Sequence, residues 1–161
     1  MFVWSRGCIR VSSTCDKLHR RNRALTAMVR AFERESMANT VHPPIPILRS
    51  FNEVATRDFY VGFLGFEVEF EHRFDPDAPL YLSVRLGDCV VHLFEHYGDA
   101  TPGAGLRIRV EDVHAFARQL NEKRYKFARP GVQRQDWGED EMILRDPSGN
   151  RLVFCTPLPL P

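Results

Sequence analysis

Apolar and polar residues alternate along several short stretches of the chain, a pattern that predicts strands with one buried face. The clearest stretch is Leu80–Leu86, which Gly87-Asp88 joins to the next strand by a tight turn. A helix is predicted between the first two strands, from the candidate N-cap Asn52 to the candidate stop Gly65. The predicted strands of this half are Ile47–Phe51, Phe66–Phe74, Leu80–Leu86 and Cys89–His96. The order of elements is therefore β-α-β-β-β.

Two buried faces are expected in this half. In the second strand, Phe66, Val68 and Phe70 alternate with glutamates and should share one face. The apolar side of the helix should consist of Val54, Phe59, Tyr60, Phe63 and Leu64.

The second half repeats this order after a joint rich in Gly and Pro between residues 98 and 105. A helix is predicted behind Glu111-Asp112, because apolar residues recur there at helical spacing from Val113 onward. The predicted strands are Leu106–Val110, Tyr125–Arg129, and a final hairpin whose apolar segments are Met142–Leu144 and Leu152–Phe154. An offset of about sixty residues between the halves indicates an internal duplication. We therefore predict one α+β domain built from two β-α-β-β-β modules, residues 41–97 and 98–157.

The turn of the final hairpin carries the strongest local signal. It reads Asp146-Pro147-Ser148-Gly149-Asn150, in which proline presets φ, glycine accepts φ > 0, and Asp or Asn can bond to the nearby backbone. Asp146 is thus expected to have a structural role rather than that of a general base, and the same holds for Asp88 and Asp99 beside other turn residues. No pattern of nucleophile and base is recognisable, so no catalytic residue is predicted.

Two features together resemble a known family. Phe59-Tyr60 followed by Leu64-Gly65-Phe66, and the stretch from Trp137-Gly138 to Asn150, are similar to the bleomycin resistance branch of the vicinal-oxygen-chelate superfamily. That superfamily includes glyoxalases, bleomycin resistance proteins and dioxygenases, and the resemblance covers residues 45 to 156. It implies that the two modules form a curled mixed sheet, the glyoxalase/bleomycin resistance fold, with a cup on its inner face.

In the metalloenzymes of this superfamily, the cup holds a divalent ion with His, Gln or Glu ligands from the first and last strands of each module. The resemblance places those positions at Ile45, His92, Gly105 and Val153. Only His92 is a ligand type, whereas a catalytic metal needs about three protein ligands. His96 lies four residues further along the same strand, about 13 Å away and too far to share one ion. The resemblance therefore implies no metal site, and we predict no cofactor.

The lining of the cup follows from the period of two along each strand. If the ligand positions face inward, Leu82/Val84, Val91/Leu93 and Met142/Leu144 must face the helices instead. Trp137 stands among polar residues and is expected at the rim, where its ring can stack on a planar or cationic group. The acidic run 139–141 is expected to be either a solvated turn or a rim that attracts a cation. The predicted ligand-binding residues are Arg49, Tyr81, Ser83, His92, Phe94, Trp137, Glu141, Ile143 and Arg145.

Charge is divided unevenly along the chain. Residues 1–36 carry eight basic and three acidic side chains, which leaves 14 basic and 18 acidic side chains in residues 37–161. This mildly acidic remainder argues against nucleic acid as a partner, and no apolar run predicts a membrane span. Residues 1–40 are expected to be a basic, disordered extension or to lie upstream of the natural start. The four cysteines lack zinc spacing, so we expect a cytoplasmic protein without structural disulfides.

The resemblance implies a non-catalytic protein that binds and sequesters a bleomycin-type glycopeptide antibiotic or a similar amphiphilic small molecule. Proteins of this branch act as homodimers whose grooves form between subunits, and the Pro43–Pro46 arm is suited to strand exchange. Six arginines on the predicted lining leave an anionic or zwitterionic ligand open. One competing hypothesis is a metal-dependent lyase, isomerase, dioxygenase or thiol transferase of the same superfamily. Another is a dimerising scaffold without a ligand.

Overall fold

The structure is a computed structural model that describes residues 41–159. The extension expected over residues 1–40 lies outside the described residues. Within them the order β-α-β-β-β occurs twice, as predicted. The elements are β1 (Ile47–Arg49), α1 (Glu53–Arg57) with a π-helical continuation (Asp58–Leu64), β2 (Glu67–His72), β3 (Tyr81–Leu86), β4 (Cys89–Phe94), β5 (Gly105–Arg109), α2 (Val113–Glu122), β6 (Val132–Gln135), β7 (Glu139–Arg145) and β8 (Arg151–Pro157).

Each module forms its own four-stranded mixed sheet. The strand orders are β1-β4-β3-β2 in the first sheet and β5-β8-β7-β6 in the second. In each module the first strand runs parallel to the last, and the other pairs are antiparallel. The predicted α+β class and the two-module glyoxalase/bleomycin resistance fold are confirmed. No helix of the described residues is long and apolar enough to span a membrane.

The first helix begins and ends at the residues that the sequence marks. Asn52 accepts a hydrogen bond from the Ala55 backbone amide at 2.8 Å, and Gly65 ends the helix with φ of 85°. Three of its aromatic residues, Phe59, Tyr60 and Phe63, are buried, but Val54 is 78% exposed, so its predicted place in the core is wrong. The buried apolar stripe of this helix therefore begins at Phe59, and Val54 in the first turn faces solvent.

The hydrophobic core of residues 41–159 lies between the helices and one side of both sheets. The predicted helix-facing pairs Leu82/Val84, Val91/Leu93 and Met142/Leu144 are all buried in it. Phe59, Tyr60, Phe63 and Leu120 contribute from the helical side, and all are at most 2% exposed. The period-two prediction is therefore confirmed for these strands, and it fixes which side of each sheet is left for a ligand.

The strand predicted over Tyr125–Arg129 is wrong; β6 lies at Val132–Gln135 instead. The Tyr125 ring stacks on Phe63, with centroids 4.4 Å apart and planes at 12°. The Asn121 side chain donates a 2.8 Å hydrogen bond to the Pro130 carbonyl, which anchors the end of the segment. Tyr125 and Ala128 of this segment therefore pack against the core, Phe127 is exposed, and the polar sequence that follows pairs with β7.

The turn at residues 146–150 also joins the two modules. Asp146 accepts hydrogen bonds from the backbone amides of Ser148 and Asn150 at 2.9 and 2.8 Å, and from the Tyr60 hydroxyl at 2.9 Å. Asn150 is fully buried and donates a 2.7 Å hydrogen bond to the Arg49 carbonyl. The structural role predicted for Asp146 agrees with these contacts.

Candidate ligand-binding faces

An extra residue in β2 decides which side chains the first sheet presents on the side away from the core. Val68 pairs with Val84 and Phe70 pairs with Ser83, so Glu69 forms a β-bulge. Phe66 is buried in the core, but Phe70 lies on the opposite side, beside Ser83, and is 45% exposed. The expectation that Phe66 and Phe70 share a face is therefore wrong. No Gly or Pro marks this bulge in the sequence, and Glu69 and Phe70 were missed as candidate site residues for that reason.

The side of β2, β3 and β4 away from the core is covered by contacting rings, which we call the aromatic face. Tyr81 is at its centre, stacked on Phe70 at 6.2 Å and in edge contact with Phe94 at 4.9 Å. Phe74 is 74% exposed and extends the face past the end of β2. The aromatic face consists of Phe70, His72, Phe74, Tyr81, His92, Phe94 and His96. An exposed apolar surface of this extent is typical of a binding site.

Tyr81 and His92 form the polar part of the aromatic face. The Tyr81 hydroxyl and His92 Nδ1 lie 2.6 Å apart in a hydrogen bond whose donor depends on the imidazole tautomer. Burial raises the pKa of Tyr81, with a further contribution from Asp99, and burial lowers the pKa of His92 against the opposing effect of Glu69. Tyr81 is therefore a neutral phenol and His92 a neutral imidazole at neutral pH, which suits the pair to neutral hydrogen bonding.

Glu69 binds the hydroxyl of Ser83, one of the predicted site residues. Its carboxylate accepts hydrogen bonds from the Ser83 hydroxyl at 2.8 Å and from Arg85 Nε at 2.5 Å. The pKa of Glu69 is lowered, first by the Ser83 hydrogen bond and then by Arg85. Ser83 is fully buried, so in the single chain its hydroxyl is used by Glu69 and is not presented to solvent.

The corresponding side of the second sheet is built from ions rather than rings, and we call it the charged face. Its members are Arg107, Arg109, Trp137, Glu139, Glu141 and Ile143. The Arg107 guanidinium bridges Glu139 and Glu141, whose hydrogen bonds, Glu141 first, raise the pKa of Arg107. Arg109 lies 4.0 Å from Glu139. The charges of this face are thus largely matched with each other.

Trp137 lies at the edge of the charged face. Its side chain is 64% exposed, and its indole N–H donates to Glu141 Oε1 at 3.3 Å. Ile143 is 42% exposed on the same side of β7. The Glu141 carboxylate is itself buried and is shared between Arg107 and Trp137. This arrangement orients the indole ring and leaves its flat surface open.

The acidic run at 139–141 is not a solvated turn, because it forms the start of β7. Alternate residues point to opposite sides, so Asp140 faces away from the charged face. Its carboxylate accepts from Arg134 at 3.0 and 3.1 Å and contacts His114 Nε2 at 3.0 Å. The Arg134 and His114 hydrogen bonds lower the pKa of Asp140 to about 2. All three acids are held by basic side chains, which weakens the idea that they attract a free cation.

Two predicted arginines lie at the margins of these faces. Arg145 lines an outer groove of about 650 Å³, together with Asp58, Tyr125 and Phe127, and its guanidinium donates to the Gly149 carbonyl at 3.4 Å. Arg49, opposite Phe94 in the first sheet, stacks over the Phe51 ring with its guanidinium carbon 5.1 Å from the centroid. Arg145 therefore lines a different groove from the face that Trp137 and Glu141 form, although the sequence analysis grouped the three residues in one site.

The predicted site residues fall into two sets that do not meet in one chain. Arg49, Tyr81, Ser83, His92 and Phe94 belong to the first sheet, and Trp137, Glu141, Ile143 and Arg145 to the second. Within residues 41–159, each side-chain hydrogen bond, ion pair and ring contact of these residues stays inside its own module. The side chains of the two sets therefore have no direct contact with each other within the described residues.

The described residues do not fit the metal centre of the superfamily's enzymes. Ile45 precedes β1, Gly105 has no side chain, and Val153 is buried between its neighbours on β8. His92 Nδ1 is occupied by Tyr81, and His96 lies 3.6 Å from Asp99. Within residues 41–159, no cluster of three or more His, Cys, Asp or Glu side chains could hold an ion. Arg107 instead supplies the positive charge between the two glutamates of the charged face.

The two cysteines of the described residues offer no activated thiol. Cys89 and Cys155 are free, and burial raises the pKa of both thiols. The Cys155 thiol points at the Ile108 carbonyl, 3.6 Å away. A thiol whose pKa is raised is a poor nucleophile at neutral pH, so these residues act as small hydrophobic side chains.

The comparison with protein families places these faces in a known context. A family model described as glyoxalase superfamily protein matches residues 30–158. The chain belongs to the glyoxalase superfamily. Comparison with curated protein sequences finds no match. Superfamily membership is what the hairpin and the repeated module predicted, and it covers enzymes as well as binding proteins.

Solved structures of this superfamily include binding proteins that the chain resembles. A bleomycin-binding protein complexed with bleomycin is 25% identical, with a TM-score of 0.54 over 72% of this chain and 98% of that one. A bleomycin resistance determinant encoded on the transposon Tn5 is also 25% identical, with a TM-score of 0.57 over 73% of this chain and 98% of that one. A glyoxalase-related enzyme from Clostridium phytofermentans has a TM-score of 0.58 over 76% of this chain and 99% of that one, but at 17% identity it shows the fold alone.

Proposed function

We propose that this glyoxalase superfamily protein binds and sequesters an amphiphilic small molecule, of the bleomycin glycopeptide type or similar to it, without changing it chemically. The observation that carries the proposal is the aromatic face. It offers a continuous array of rings, several of them exposed, together with one neutral Tyr–His pair. Such a surface binds planar and apolar groups by stacking and burial. The resemblance to a bleomycin-binding protein supports the same ligand class.

We infer that the working site forms between two copies of the chain. The aromatic face and the charged face belong to different sheets, and each leaves apolar side chains exposed, among them Phe70, Trp137 and Ile143. A two-fold axis that sets the aromatic face of one protomer against the charged face of its partner covers both faces twice. In the described chain β1 pairs with β4 of the same chain, and the Pro43–Pro46 arm precedes it. Exchange of this arm between protomers is part of the proposal.

Residues take different roles in such a groove. Tyr81, His92, Trp137 and Ile143 present surface to the ligand, and Phe70 joins them because of the β2 bulge. Ser83 and Glu141 are buried and hold neighbours in place. Phe94 supports the Tyr81 ring from behind. The proposed contacts are thus mainly aromatic, with orientation supplied by a few fixed polar groups.

Titration calorimetry with bleomycin on the full chain tests the ligand. We expect one molecule bound per chain, and the ligand recovered after dissociation should have an unchanged mass. Tyr81→Ala should weaken binding by about tenfold, because an aromatic contact contributes about 1 kcal/mol beyond its buried area. A chemically altered ligand, or no heat of binding at saturating protein, would overturn the proposal.

Analytical ultracentrifugation tests the dimer. The full chain should sediment as a dimer at micromolar concentration, and Ile143→Glu should shift it to a monomer because a charge would be buried against the partner's rings. Glu122→Gln on the far side of α2 serves as the control. A full chain that sediments as a monomer while binding bleomycin would refute the shared groove.

The enzyme hypothesis makes a different demand on the purified protein. It requires a divalent ion bound by at least about three protein ligands in each cup. Metal analysis after dialysis therefore separates it from sequestration. Stoichiometric Fe, Mn, Ni or Zn, removed by mutation of His92 to Ala, would favour the enzyme.

A further inference from the structure

A separate pocket lies where the end of β1 meets the segment that joins the two modules. It encloses about 460 Å³. Arg49 and Phe51 line one side, and Tyr97, Gly98, Thr101 and Pro102 line the other. Arg49 was predicted as a ligand-binding residue of the cup, but the sequence analysis assigned no role to Phe51, Tyr97 or the joining segment.

Arg49 has no counter-ion in the described part of the chain. Its Nη1 is buried, and no residue among 41–159 accepts a hydrogen bond from it. The carboxylates of the two faces already have partners, since Glu69 bonds to Arg85 and both Glu139 and Glu141 bond to Arg107. A guanidinium that finds no acceptor within the protein is unfavourable. The Arg49 side chain as a whole is only half-buried and lines the pocket, so an anionic oxygen in the pocket would bind the open part of the guanidinium.

The backbone that presents Arg49 and Phe51 is held rigidly by the second module. The Arg49 carbonyl accepts from Asn150 Nδ2 at 2.7 Å, and the Phe51 amide donates to Ser148 Oγ at 3.1 Å. Arg49 ends β1 and Phe51 follows it in a bend, and the guanidinium carbon of Arg49 lies 5.1 Å from the centroid of the Phe51 ring in a cation–π contact. A charge and a ring fixed in this way form a preorganised pair, so little conformational entropy is lost when a ligand binds.

The opposite wall adds a second ring and no carboxylate. Tyr97 is 89% exposed and Phe51 is 56% exposed, so both rings are open to a ligand. Asp99, the acidic residue of this segment, is directed at His96 Nδ1, 3.6 Å away. The pocket thus offers one unmatched positive charge between two aromatic surfaces.

We propose that this pocket binds an aromatic carboxylate, with the ring against Phe51 and Tyr97 and the carboxylate on Arg49. The inference rests on the proposed function to the extent that Arg49 lies at the margin of the aromatic face, and it assigns an anionic group to the ligand. A phosphate monoester offers the same chemistry as a carboxylate. Arg49 binds either through parallel N–H donors, and the test distinguishes them.

The test compares 2-naphthoate, 2-naphthyl phosphate and the uncharged 2-naphthylmethanol by calorimetry on the full chain. We expect 2-naphthoate to bind about 10- to 100-fold tighter than the alcohol, the range given by a charge-assisted hydrogen bond. Arg49→Gln should abolish this preference, whereas Arg118→Gln on the exposed surface of α2 should keep it. Equal binding of naphthoate and alcohol, or an unchanged preference in Arg49→Gln, overturns the proposal. Tighter binding of the phosphate assigns the pocket to phosphate monoesters instead.

A second variant keeps the test independent of Arg49. Tyr97→Leu lies on an exposed segment and should weaken naphthoate and alcohol alike, by about tenfold for one lost ring contact. Amide shifts at Gly98 and Thr101 on adding naphthoate should locate the site by NMR, and shifts confined to β3 and β4 would refute it. Bleomycin titrated into the same preparations reads the proposed groove separately. Bleomycin binding without a naphthoate preference overturns only this pocket, and the reverse result overturns only the proposed function.

Discussion

The aromatic face and the charged face occupy the same place in two modules of the same topology, yet their side chains differ in kind. The first sheet presents aromatic rings on the side away from the core, and the second presents ion pairs. Tyr81 in the first module is surrounded by rings. Glu141 in the second, which pairs with Cys155 across the same kind of hairpin, is surrounded by Arg107 and Trp137. The fold therefore fixes where a face lies but leaves its chemistry open.

The difference also separates two physical tasks. Rings gain free energy from any apolar group that covers them, so in the proposed groove the aromatic face should supply affinity with little selectivity. Charges that already have partners gain little from a ligand, but they reject one that would break those pairs. We expect the first module to set how tightly a ligand binds and the second to set which ligand fits.

The largest effect should come from removing rings. Replacing Phe70 and Tyr81 together by Ala should weaken bleomycin binding by about 100-fold, because two aromatic contacts of about 1 to 1.5 kcal/mol are lost. Ile143→Ala on the charged face should cost far less. Phe127→Ala, an exposed ring elsewhere, is the matched control in calorimetry. If the two faces contributed equally, the Ile143 and double-ring variants would lose similar affinity.

Low pH should destabilise the second module, because Asp140 becomes protonated. Its pKa is lowered from 3.8 to about 2, first by the Arg134 hydrogen bond and then by His114. In the unfolded chain this carboxyl takes up its proton first, so the free energy of unfolding should fall as the pH drops from its ordinary pKa toward 2. Urea titrations at several pH values should show a shallower fall for Asp140→Asn than for Asp99→Asn. Equal slopes in the two variants would contradict the assignment.

Mildly acidic pH should destabilise the first module, because His92 becomes protonated. Burial lowers the pKa of His92 below 6.5, so the unfolded chain binds the proton first. The free energy of unfolding should therefore fall as the pH drops below 6.5 toward the native pKa, and it should be fully recovered above neutrality. His92→Gln should remove the dependence of the urea unfolding midpoint on pH over this range. Tyr81→Phe should keep the dependence, because burial rather than the hydroxyl is its main cause; a flat profile in that variant would point to the hydrogen bond instead.

Salt should produce the smallest effect, and only in strands that carry ion pairs. Arg107 and Arg109 are partly exposed, and ion pairs at such positions contribute little and are screened. Raising NaCl to about 1 M should speed amide exchange a few-fold in β7 and leave β4, whose side chains form no ion pair with the described residues, unchanged. Equal acceleration in both strands, followed by NMR, would show that the faces do not differ in this respect.

Features set by neighbouring residues could be predicted from the sequence. The turn at 146–150, the Asn52 cap and the Gly65 stop depend on side chains within a few residues, and all three are where they were expected. The alternation of β3 and β4 likewise located the buried side of the first sheet.

Features set by distant partners could not be predicted. At the bulge, the Glu69 carboxylate is bound by Ser83 and Arg85 on the next strand, and nothing near Glu69 in the sequence indicates these partners. The segment at 125–129 failed as a strand because its tyrosine packs on Phe63, about sixty residues earlier. The sequence left the acidic run 139–141 open between a solvated turn and a cation-attracting rim, because the Arg107 side chain that binds Glu141 comes from another strand. Each error concerned a contact that local sequence does not encode.

The turn that joins the modules has a consequence for the order of folding. Its contacts link residues that are 86 to 101 positions apart, from Tyr60 to Asp146 and from Arg49 to Asn150. Contacts of such sequence separation form late, since a long loop must close first. During synthesis the backbone of Arg49 and Phe51 must therefore wait for residue 150 to leave the ribosome. Pulse-labelled hydrogen exchange should find the Phe51 amide among the last to be protected, and early protection there would refute this order.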